Sequence, residues 1–243
     1  MSDLVYRYPR TLSGTLVKRY KRFFADVELV NGSIVTAHCP NTGPMTGICD
    51  PSSPVLISHS DDPKRKLKYT WEAVQMRDAT RTWVGANTNL PNKVIKGMLE
   101  RQMITAIDGY DTVTSEVKYG VEGKSRIDFL LTGGDRKIYV EVKNTTWAQG
   151  DLALFPDTVT TRGQKHLREL TAIAQEQGDQ CRCVMLYFIN RGDCTRFAAG
   201  DDRDPEYGQL LRAAIAAGVE IVPCRFQVSP EGLHYLGLAD VIL

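Results

Sequence analysis

The first third of the chain alternates apolar and polar positions with a period of two, a pattern typical of β-strands. Two extended stretches, residues 22–30 and 33–39, are joined by Asn31-Gly32, a dipeptide that tolerates positive φ and favours a hairpin turn. Residues 54–60 and 67–76 are further strand candidates, and no helix is predicted before residue 90. Several short strands separated by turns indicate a small barrel or sandwich over residues 1–85.

The pattern changes at about residue 90, where apolar positions begin to recur at helical spacing. The predicted helices cover residues 91–107, 161–177 and 205–217, and the predicted strands cover residues 112–119, 125–131, 137–143, 183–189 and 219–226. A helix, a three-strand meander and then alternating helices and strands are typical of a mixed-sheet α/β domain. We therefore predict such a domain over residues 86–243, with the boundary at residues 85–91.

Composition excludes several classes of protein. Of the 243 residues, 42% are hydrophobic and 24% are charged, which is close to the average for folded soluble domains. The six cysteines are irregularly spaced, no apolar run approaches the length that spans a bilayer, and the start of the chain lacks the apolar region of a signal peptide. We therefore expect a soluble, reduced, cytoplasmic protein with no membrane partner.

Charge is unevenly distributed although the net value is only +1. Residues 1–85 carry 12 basic and 8 acidic side chains, and the basic ones cluster with aromatic residues near positions 18–22 and 64–68. Such a mixture suits single-stranded or flexible nucleic acid, and an OB-like barrel would account for it; a solvated strand face explains the same runs equally well. The candidate nucleic-acid contacts here are Lys18, Arg19, Lys21, Arg22, Lys64, Arg65 and Lys66.

Asp128, Glu141 and Lys143 are the most informative residues for chemistry. If Leu131 and Ile138 close an antiparallel pair, Asp128 lies opposite Glu141, and Lys143 shares their face. Opposed carboxylates destabilise a sheet unless one is protonated, a cation pairs with them, or a divalent metal binds. Hard oxygen ligands suit Mg²⁺ or Mn²⁺, and Lys143 can orient a water or neutralise a phosphate. A salt-bridge ladder is the alternative.

The predicted helix at 161–177 begins with a polar cluster that follows the Glu-x-Lys strand. Gln164 or Lys165 can face the two carboxylates, and a helix N-terminus attracts phosphate. Gln164 therefore joins Asp128, Glu141 and Lys143 as a catalytic candidate. A solvated helix face explains each of these residues equally well. Further candidate contacts to nucleic acid are Arg126, Arg162, Lys165 and His166.

Several strings along the chain resemble the sugar fermentation stimulation protein A family. They are HCPNTG at 38–43, SEVKYG at 115–120, SRIDFLL at 125–131, VEVKNTT at 140–146 and FPDTVTTRGQKHLREL at 155–170. The arrangement Asp-x12-Glu-x-Lys also resembles the PD-(D/E)XK nuclease signature, with Ile127 where that superfamily customarily has proline. The resemblance covers essentially the whole chain.

The resemblance implies an N-terminal OB-type domain, a nuclease-like (restriction-endonuclease-like) C-terminal domain and DNA as the partner. It places the nuclease-like positions at Asp128, Glu141 and Lys143, with Asp128 and Glu141 as ligands of Mg²⁺ or Mn²⁺. Two functions stay open. One is a DNA-binding protein with a metal-dependent phosphodiesterase site, and the other is a non-catalytic DNA-binding transcriptional regulator of sugar (maltose) metabolism genes. A sugar or nucleotide binder lacks a Walker A or glycine-rich dinucleotide motif, and the oligomeric state is not predicted.

Overall fold

The computed structural model describes residues 3–119 and 125–243. Its strands are β1 (Asp3–Arg7), β2 (Thr11–Tyr20), β3 (Phe24–Leu29), β4 (Ile34–His38), β5 (Pro54–His59), β6 (Tyr69–Gln75), β7 (Trp83–Gly85), β8 (Thr112–Tyr119), β9 (Ser125–Thr132), β10 (Lys137–Thr145), β11 (Trp147–Gln149), β12 (Leu152–Phe155), β13 (Cys181–Ile189), β14 (Arg196–Ala199), β15 (Glu220–Val228), β16 (Gly232–Leu238) and β17 (Asp240–Val241). Its α-helices are α1 (Leu90–Glu100), α2 (Thr161–Gln177) and α3 (Pro205–Ala216). None of the helices in the described part of the chain is long and apolar enough to cross a bilayer.

Five strands, β2 to β6, close into the predicted OB barrel. β2 pairs antiparallel with both β3 and β5, while β6 pairs antiparallel with β5 and parallel with β4, so no edge is left open among the five. The predicted hairpin joins β3 to β4, with Gly32 at a φ of 81°. Leu16, Val27 and Trp71 are among the fully buried side chains that fill the barrel.

The first strand does not belong to the barrel, which corrects the predicted range of 1–85. β1 pairs antiparallel with β16, and Tyr8 packs in the core of the second domain. β7 also bridges the two parts, because it pairs with β6 on one side and at Val228 of β15 on the other. The sequence pattern does not predict this strand, whose partner lies more than 200 residues away in the chain.

The second domain is the predicted mixed-sheet α/β domain. β10, β13 and β15 run parallel, and β9 and β8 extend the sheet antiparallel at one side. α1 packs on one face and α2 and α3 on the other, which gives two cores separated by the sheet. A small second sheet of β11, β12, β14 and β17 lies outside the sequence prediction.

Helix bounds agree with the sequence pattern except at α1. α2 covers the predicted residues, and Gly178 follows its end. α1 ends at Glu100 instead of residue 107, because Gln102 takes a φ of 51° and the chain continues in turns that bury Ile104 and Ile107. Ile104 and Ile107 fit the helical spacing in the sequence, but they are buried by turns that follow the helix.

Candidate active site

The two carboxylates lie where β9 and β10 separate. Ile138 pairs with Leu131 and Val140 with Phe129, which confirms the register predicted from sequence. The ladder ends there, one step before Asp128 and Glu141 would pair. The backbone N–H of Val142 instead donates to Asp128 Oδ2 at 2.7 Å. The Asp128 side chain thus takes over a bond that a strand partner would otherwise accept, and the site opens beside it.

Asp128 is held from the α1 side of the sheet. Asn92, in the first turn of α1, donates to Asp128 Oδ1 at 2.7 Å. The strict alternation of faces fails at this point, since Phe129 packs in the α1-side core and Ile127 packs in the α2-side core. Glu116, at the matching position of β8, has a φ of 57°. The prediction that Asp128 shares one face with Glu141 and Lys143 is therefore wrong in detail, because the strand turns over at Asp128.

Glu141 is held from the α2 side. Its Oε1 accepts a hydrogen bond from Lys143 Nζ at 2.6 Å and contacts His166 Nδ1, and Lys143 Nζ lies 3.3 Å from the same imidazole nitrogen. The three side chains are 12% exposed or less. The structure therefore brings together a buried network of one carboxylate, one ammonium and one imidazole, with Asp128 next to it.

The electrostatics of the two carboxyls differ. Burial, and then the negative charge of Glu141, raise the pKa of Asp128 from 3.8 to about 6 despite its hydrogen bonds and the nearby Lys143. Burial also opposes ionisation of Glu141, but the hydrogen bond from His166 and the charge of Lys143 outweigh it and lower the pKa of Glu141. Glu141 is therefore the stronger acid of the two, and additional positive charge at the site would favour the ionised form of Asp128.

Glu141 Oε2 is buried and has no hydrogen-bond partner in the described structure. A buried acceptor left without a partner costs about 1–3 kcal/mol, so an orphaned carboxylate oxygen is an unusual feature in a folded core. A divalent cation fits this position, because it would coordinate the free oxygen and neutralise the repulsion from Asp128. No group of three His, Cys, Asp or Glu side chains suited to a metal occurs among residues 3–119 and 125–243. Two carboxylates completed by water and phosphate oxygens are the pattern that Mg²⁺ prefers.

His166, and not Gln164, is the α2 side chain that contacts Glu141. Gln164 is buried and donates from Nε2 to both carboxylate oxygens of Asp204, at 2.9 and 3.1 Å. Asp204 also accepts from the backbone N–H groups of Thr160 and Tyr207, so it joins the starts of α2 and α3. His166, predicted as a nucleic-acid contact, is only 4% exposed and lies against Glu141. The structure places Gln164 at the junction of α2 and α3, and its catalytic role stays a prediction.

The basic run at 18–22 contains two kinds of side chain. Lys18, Lys21 and Arg22 are exposed, and Lys18 lies 5.3 Å above the ring of Tyr20. Arg19 is half-buried and donates from Nη2 to the carbonyl oxygens of residues 41 and 43, at 2.8 and 2.9 Å. Arg19 therefore holds a loop of the barrel, and its contact with phosphate stays a prediction.

The remaining basic candidates lie on the surface except for Arg65. Lys64 and Lys66 are exposed, whereas Arg65 is half-buried and donates to Thr70 Oγ1 at 2.8 Å. Arg126 and Arg162 are exposed, as is Lys165, which lies 3.6 Å from Glu169. The role of these residues as nucleic-acid contacts stays a prediction. Arg126 lies opposite Lys118 on the β8–β9 pair, two residues before Asp128.

Two groups that organise the site are not apparent from the sequence. In the sequence, Asn92 is recognisable only as a residue at the start of a predicted helix. The Val142 N–H is a backbone group, so no sequence motif identifies it. Asn92 lies 36 residues before Asp128, a separation that no helical or strand period relates. Only the packing of α1 against the sheet brings them together.

Comparison with known proteins agrees with this architecture. The family model of the sugar fermentation stimulation protein RE domain matches residues 89–232, and that of the N-terminal OB domain matches residues 17–86. A sugar fermentation stimulation protein homolog from Picosynechococcus sp. is 65% identical over 237 residues, covering 97% of this chain and 92% of that relative. One from Synechococcus elongatus is 61% identical over 243 residues and covers 100% of both chains.

A solved structure shares the whole fold. It is described as Pyrococcus furiosus SfsA in complex with Ca²⁺. The two chains superpose with a TM-score of 0.86, and the match covers 99% of each. Their sequence identity is 23%, so this likeness bears on the fold alone.

Proposed function

We propose a function for this chain, which belongs to the sugar fermentation stimulation protein family: it binds DNA through its OB barrel and hydrolyses phosphodiester bonds at a divalent-metal site formed by Asp128 and Glu141. The observation that carries the proposal is the buried Glu141 Oε2, which has no partner among the residues that the structure describes and lies beside a second carboxyl whose pKa is raised. Lys143 already pairs with Oε1, so the remaining cost is that of the buried Oε2, which a divalent cation would satisfy.

Oxygen ligands support Mg²⁺ or Mn²⁺ as the ion. The Pyrococcus furiosus relative is described as a complex with Ca²⁺, which supports a divalent cation in the family without deciding which ion is active. When bound, such an ion polarises a phosphoryl oxygen and lowers the pKa of a coordinated water.

The protein's own groups then have separate tasks. Asn92 and the Val142 N–H orient Asp128 through its two oxygens, which leaves further lone pairs for a cation. His166 contacts Glu141 Oε1, which fixes the carboxylate and leaves Oε2 for a cation. Lys143, at 2.6 Å from the same Oε1, is the ammonium available to orient the attacking water or to neutralise the phosphate. These contacts preorganise the site before DNA arrives.

Exposed basic side chains on the barrel support DNA as the substrate. Lys18, Lys21 and Arg22 flank the aromatic pair Tyr20 and Phe24, whose rings stack at 5.4 Å. Basic side chains contact phosphates independently of sequence, and exposed aromatic faces stack on unpaired bases. Binding carried by such residues is expected to depend strongly on salt.

A cleavage assay tests the proposal. Full-length protein would be incubated with single-stranded, duplex and branched DNA in Mg²⁺, Mn²⁺ or EDTA. We expect cleavage that requires the divalent ion and is lost in Asp128→Asn and in Lys143→Ala, while Lys143→Ala still binds metal by calorimetry. Lys96→Ala is the matched control, because Lys96 forms only an exposed pair with Glu100 at 3.7 Å. Cleavage that persists in EDTA would contradict the assignment.

One observation favours a second candidate, the non-catalytic DNA-binding regulator of sugar (maltose) metabolism genes. Lys143, Glu141 and His166 form a closed charge network that can stabilise the fold without doing chemistry. This function predicts DNA binding without cleavage and a melting temperature that divalent ions do not change.

A further inference from the structure

A cavity of about 620 Å³ lies between the barrel and the start of α1, outside the site described above. Glu72 of β6 lines it, together with Asn87 and Asn89 from the segment that leads into α1 and Arg65 from the loop before β6. Its volume is within the roughly 300–1,000 Å³ typical of small-molecule sites. The cavity is therefore large enough for a nucleotide.

Glu72 is a buried carboxylate that two hydrogen bonds hold in place and that no ion pair among the described residues neutralises. The residue is 4% exposed; its Oε1 accepts from Ser58 Oγ at 2.6 Å and its Oε2 from Asn87 Nδ2 at 2.8 Å. Both donors are neutral groups. A carboxylate offers about four lone-pair positions, so each oxygen can accept one further hydrogen bond from a ligand in the cavity.

Two acceptors side by side match a ligand with two adjacent N–H donors. Among the nucleobases, guanine presents such a pair, N1–H and the 2-amino group, on its Watson–Crick edge. Adenine and cytosine offer one amino group there beside a ring acceptor, and thymine offers one N–H between two carbonyls. A carboxylate is an acceptor only, so Glu72 repels the acceptors of the other three bases.

Arg65 supplies a complementary charge in the same cavity. Its guanidinium uses Nη2 to donate to Thr70 Oγ1 at 2.8 Å, and it retains further N–H groups for an anion. The rim carries His59 and Asp61, whose Nδ1 and Oδ1 atoms lie 3.1 Å apart. A ligand with a base at one end and a phosphate at the other fits this distribution of charge.

We propose that this cavity binds an unpaired guanine nucleotide of DNA, with the Watson–Crick edge of the base on Glu72 and the phosphate near Arg65. The inference rests on the proposed DNA-binding function and narrows it to strands with an accessible guanine. Asn89 at the N-cap of α1 lines the cavity, and Asn92, roughly 4.5 Å further along the helix axis, holds Asp128. A guanine held here would set the position of the strand relative to the candidate active site.

Calorimetric titration of the full chain with dGMP, dAMP, dCMP and dTMP, without divalent ions, tests the inference. We expect dGMP to bind at least about fivefold more tightly than the other three, the lower end of what a bidentate contact to a base contributes. The inosine nucleotide, which lacks the 2-amino group, should lose most of that advantage. Glu72→Gln should abolish the preference, whereas Glu100→Gln on the exposed face of α1 should keep it.

A second variant keeps the test independent of folding at the buried Glu72. Arg65 lies in the cavity wall and is half-buried. Arg65→Ala should therefore fold, and it should bind dGMP no more tightly than deoxyguanosine, whereas wild type prefers dGMP. Equal affinity of wild type for all four nucleotides, or a guanine preference that survives Glu72→Gln, would overturn the inference.

Anisotropy titrations with oligothymidylate carrying one central guanine separate this inference from the proposed function. Oligonucleotides that bind without any gain from the guanine would leave DNA binding intact and refute the guanine site. A protein that binds dGMP selectively but no oligonucleotide would keep the cavity as a nucleotide site and refute DNA binding.

Discussion

The carboxylate of Asp128 accepts the backbone N–H of Val142 at 2.7 Å, one residue after Glu141. This bond lies where the ladder between β9 and β10 ends, and it holds Asp128 beside the start of the Glu141–Lys143 segment. Asn92 completes the arrangement from α1. Both oxygens of Asp128 thus have donors, while one oxygen of Glu141 has none in the described structure. This difference between the two carboxyls is the basis for the expected effect of Asp128→Asn.

Asp128→Asn should abolish the stabilisation by divalent ions. The asparagine removes one anionic ligand. If its carbonyl oxygen accepts from the Val142 N–H, its NH2 meets the Asn92 Nδ2 donor, a mismatch that is relieved only when the Asn92 amide turns to present its oxygen. Loss of repulsion with Glu141 offsets that mismatch, so we expect stability in EDTA within roughly 1 kcal/mol of wild type. Melting curves with and without Mg²⁺ measure this. In wild type, ion at 100 times its Kd should add about 2.7 kcal/mol.

If Mg²⁺ raised the melting temperature of Asp128→Asn as much as that of wild type, the ion would be binding elsewhere. If ions left wild type unchanged and the variant were clearly destabilised, the cluster would be a structural ion network.

Asn92→Ala should weaken metal binding while leaving the fold intact. Asn92 holds Asp128 but cannot itself reach a metal through the same amide nitrogen. Outer hydrogen-bond partners of metal ligands typically contribute about 10–100-fold in affinity. Calorimetric titration with Mn²⁺ measures the loss, and Lys96→Ala on the exposed side of the same helix is the control. An unchanged Mn²⁺ affinity would show that Asp128 needs no support from α1.

Substitution of Arg19 should lower stability, whereas substitution of its exposed basic neighbours should lower DNA affinity. Arg19→Ala loses hydrogen bonds to the carbonyls of residues 41 and 43 and should destabilise the barrel by about 1–3 kcal/mol. The combined change of Lys18, Lys21 and Arg22 to Ala removes exposed charge and should leave the melting temperature nearly unchanged. It should weaken DNA binding for all sequences and flatten the salt dependence by roughly 0.7–0.9 for each phosphate that the protein no longer neutralises.

Thermal melting and anisotropy at several salt concentrations measure the two effects. Unchanged affinity and slope in the triple variant would mean that these charges are only a solvated face. A melting temperature for Arg19→Ala equal to that of wild type would contradict its role in the loop.

Stability should depend on pH through Glu72. Burial is the main cause that raises the pKa of Glu72 above its usual 4.5, in spite of the hydrogen bonds from Ser58 and Asn87. A raised pKa means that Glu72 binds its proton more tightly in the folded state than in the unfolded chain. The associated stability is present below about pH 4.5 and is lost as the pH rises through the folded-state pKa. Glu72→Gln cannot ionise, so its stability relative to wild type should increase from pH 4 to pH 7.

Chemical denaturation at pH 4, 5.5 and 7 measures that difference, with Glu100→Gln as an exposed carboxyl control. A difference that stays constant with pH would show that Glu72 ionises equally easily in the folded and unfolded states, and one that falls would show easier ionisation in the fold; either result would contradict the prediction.

The amino-acid pattern alone specifies the periods of the elements, the register of one hairpin and the identity of the acidic and basic groups in the candidate site. Period-two and helical patterns depend on which face is buried, so the predictions for β3, β4 and α2 agree closely with the structure. The pairing of Leu131 with Ile138 follows from the same local reasoning. The strings of the family resemblance extend these expectations to the fold of both domains.

Packing in three dimensions determines everything that depends on which distant surfaces meet. β1 pairs with β16 across almost the whole chain, and Asn92 reaches Asp128 from another element. His166 rather than Gln164 faces Glu141, since the orientation of α2 is set by its packing against the sheet and α3. Local periodicity reports burial but not the partner that causes it. The chemistry is therefore readable from the sequence, while the arrangement of the site follows from packing between elements far apart in it.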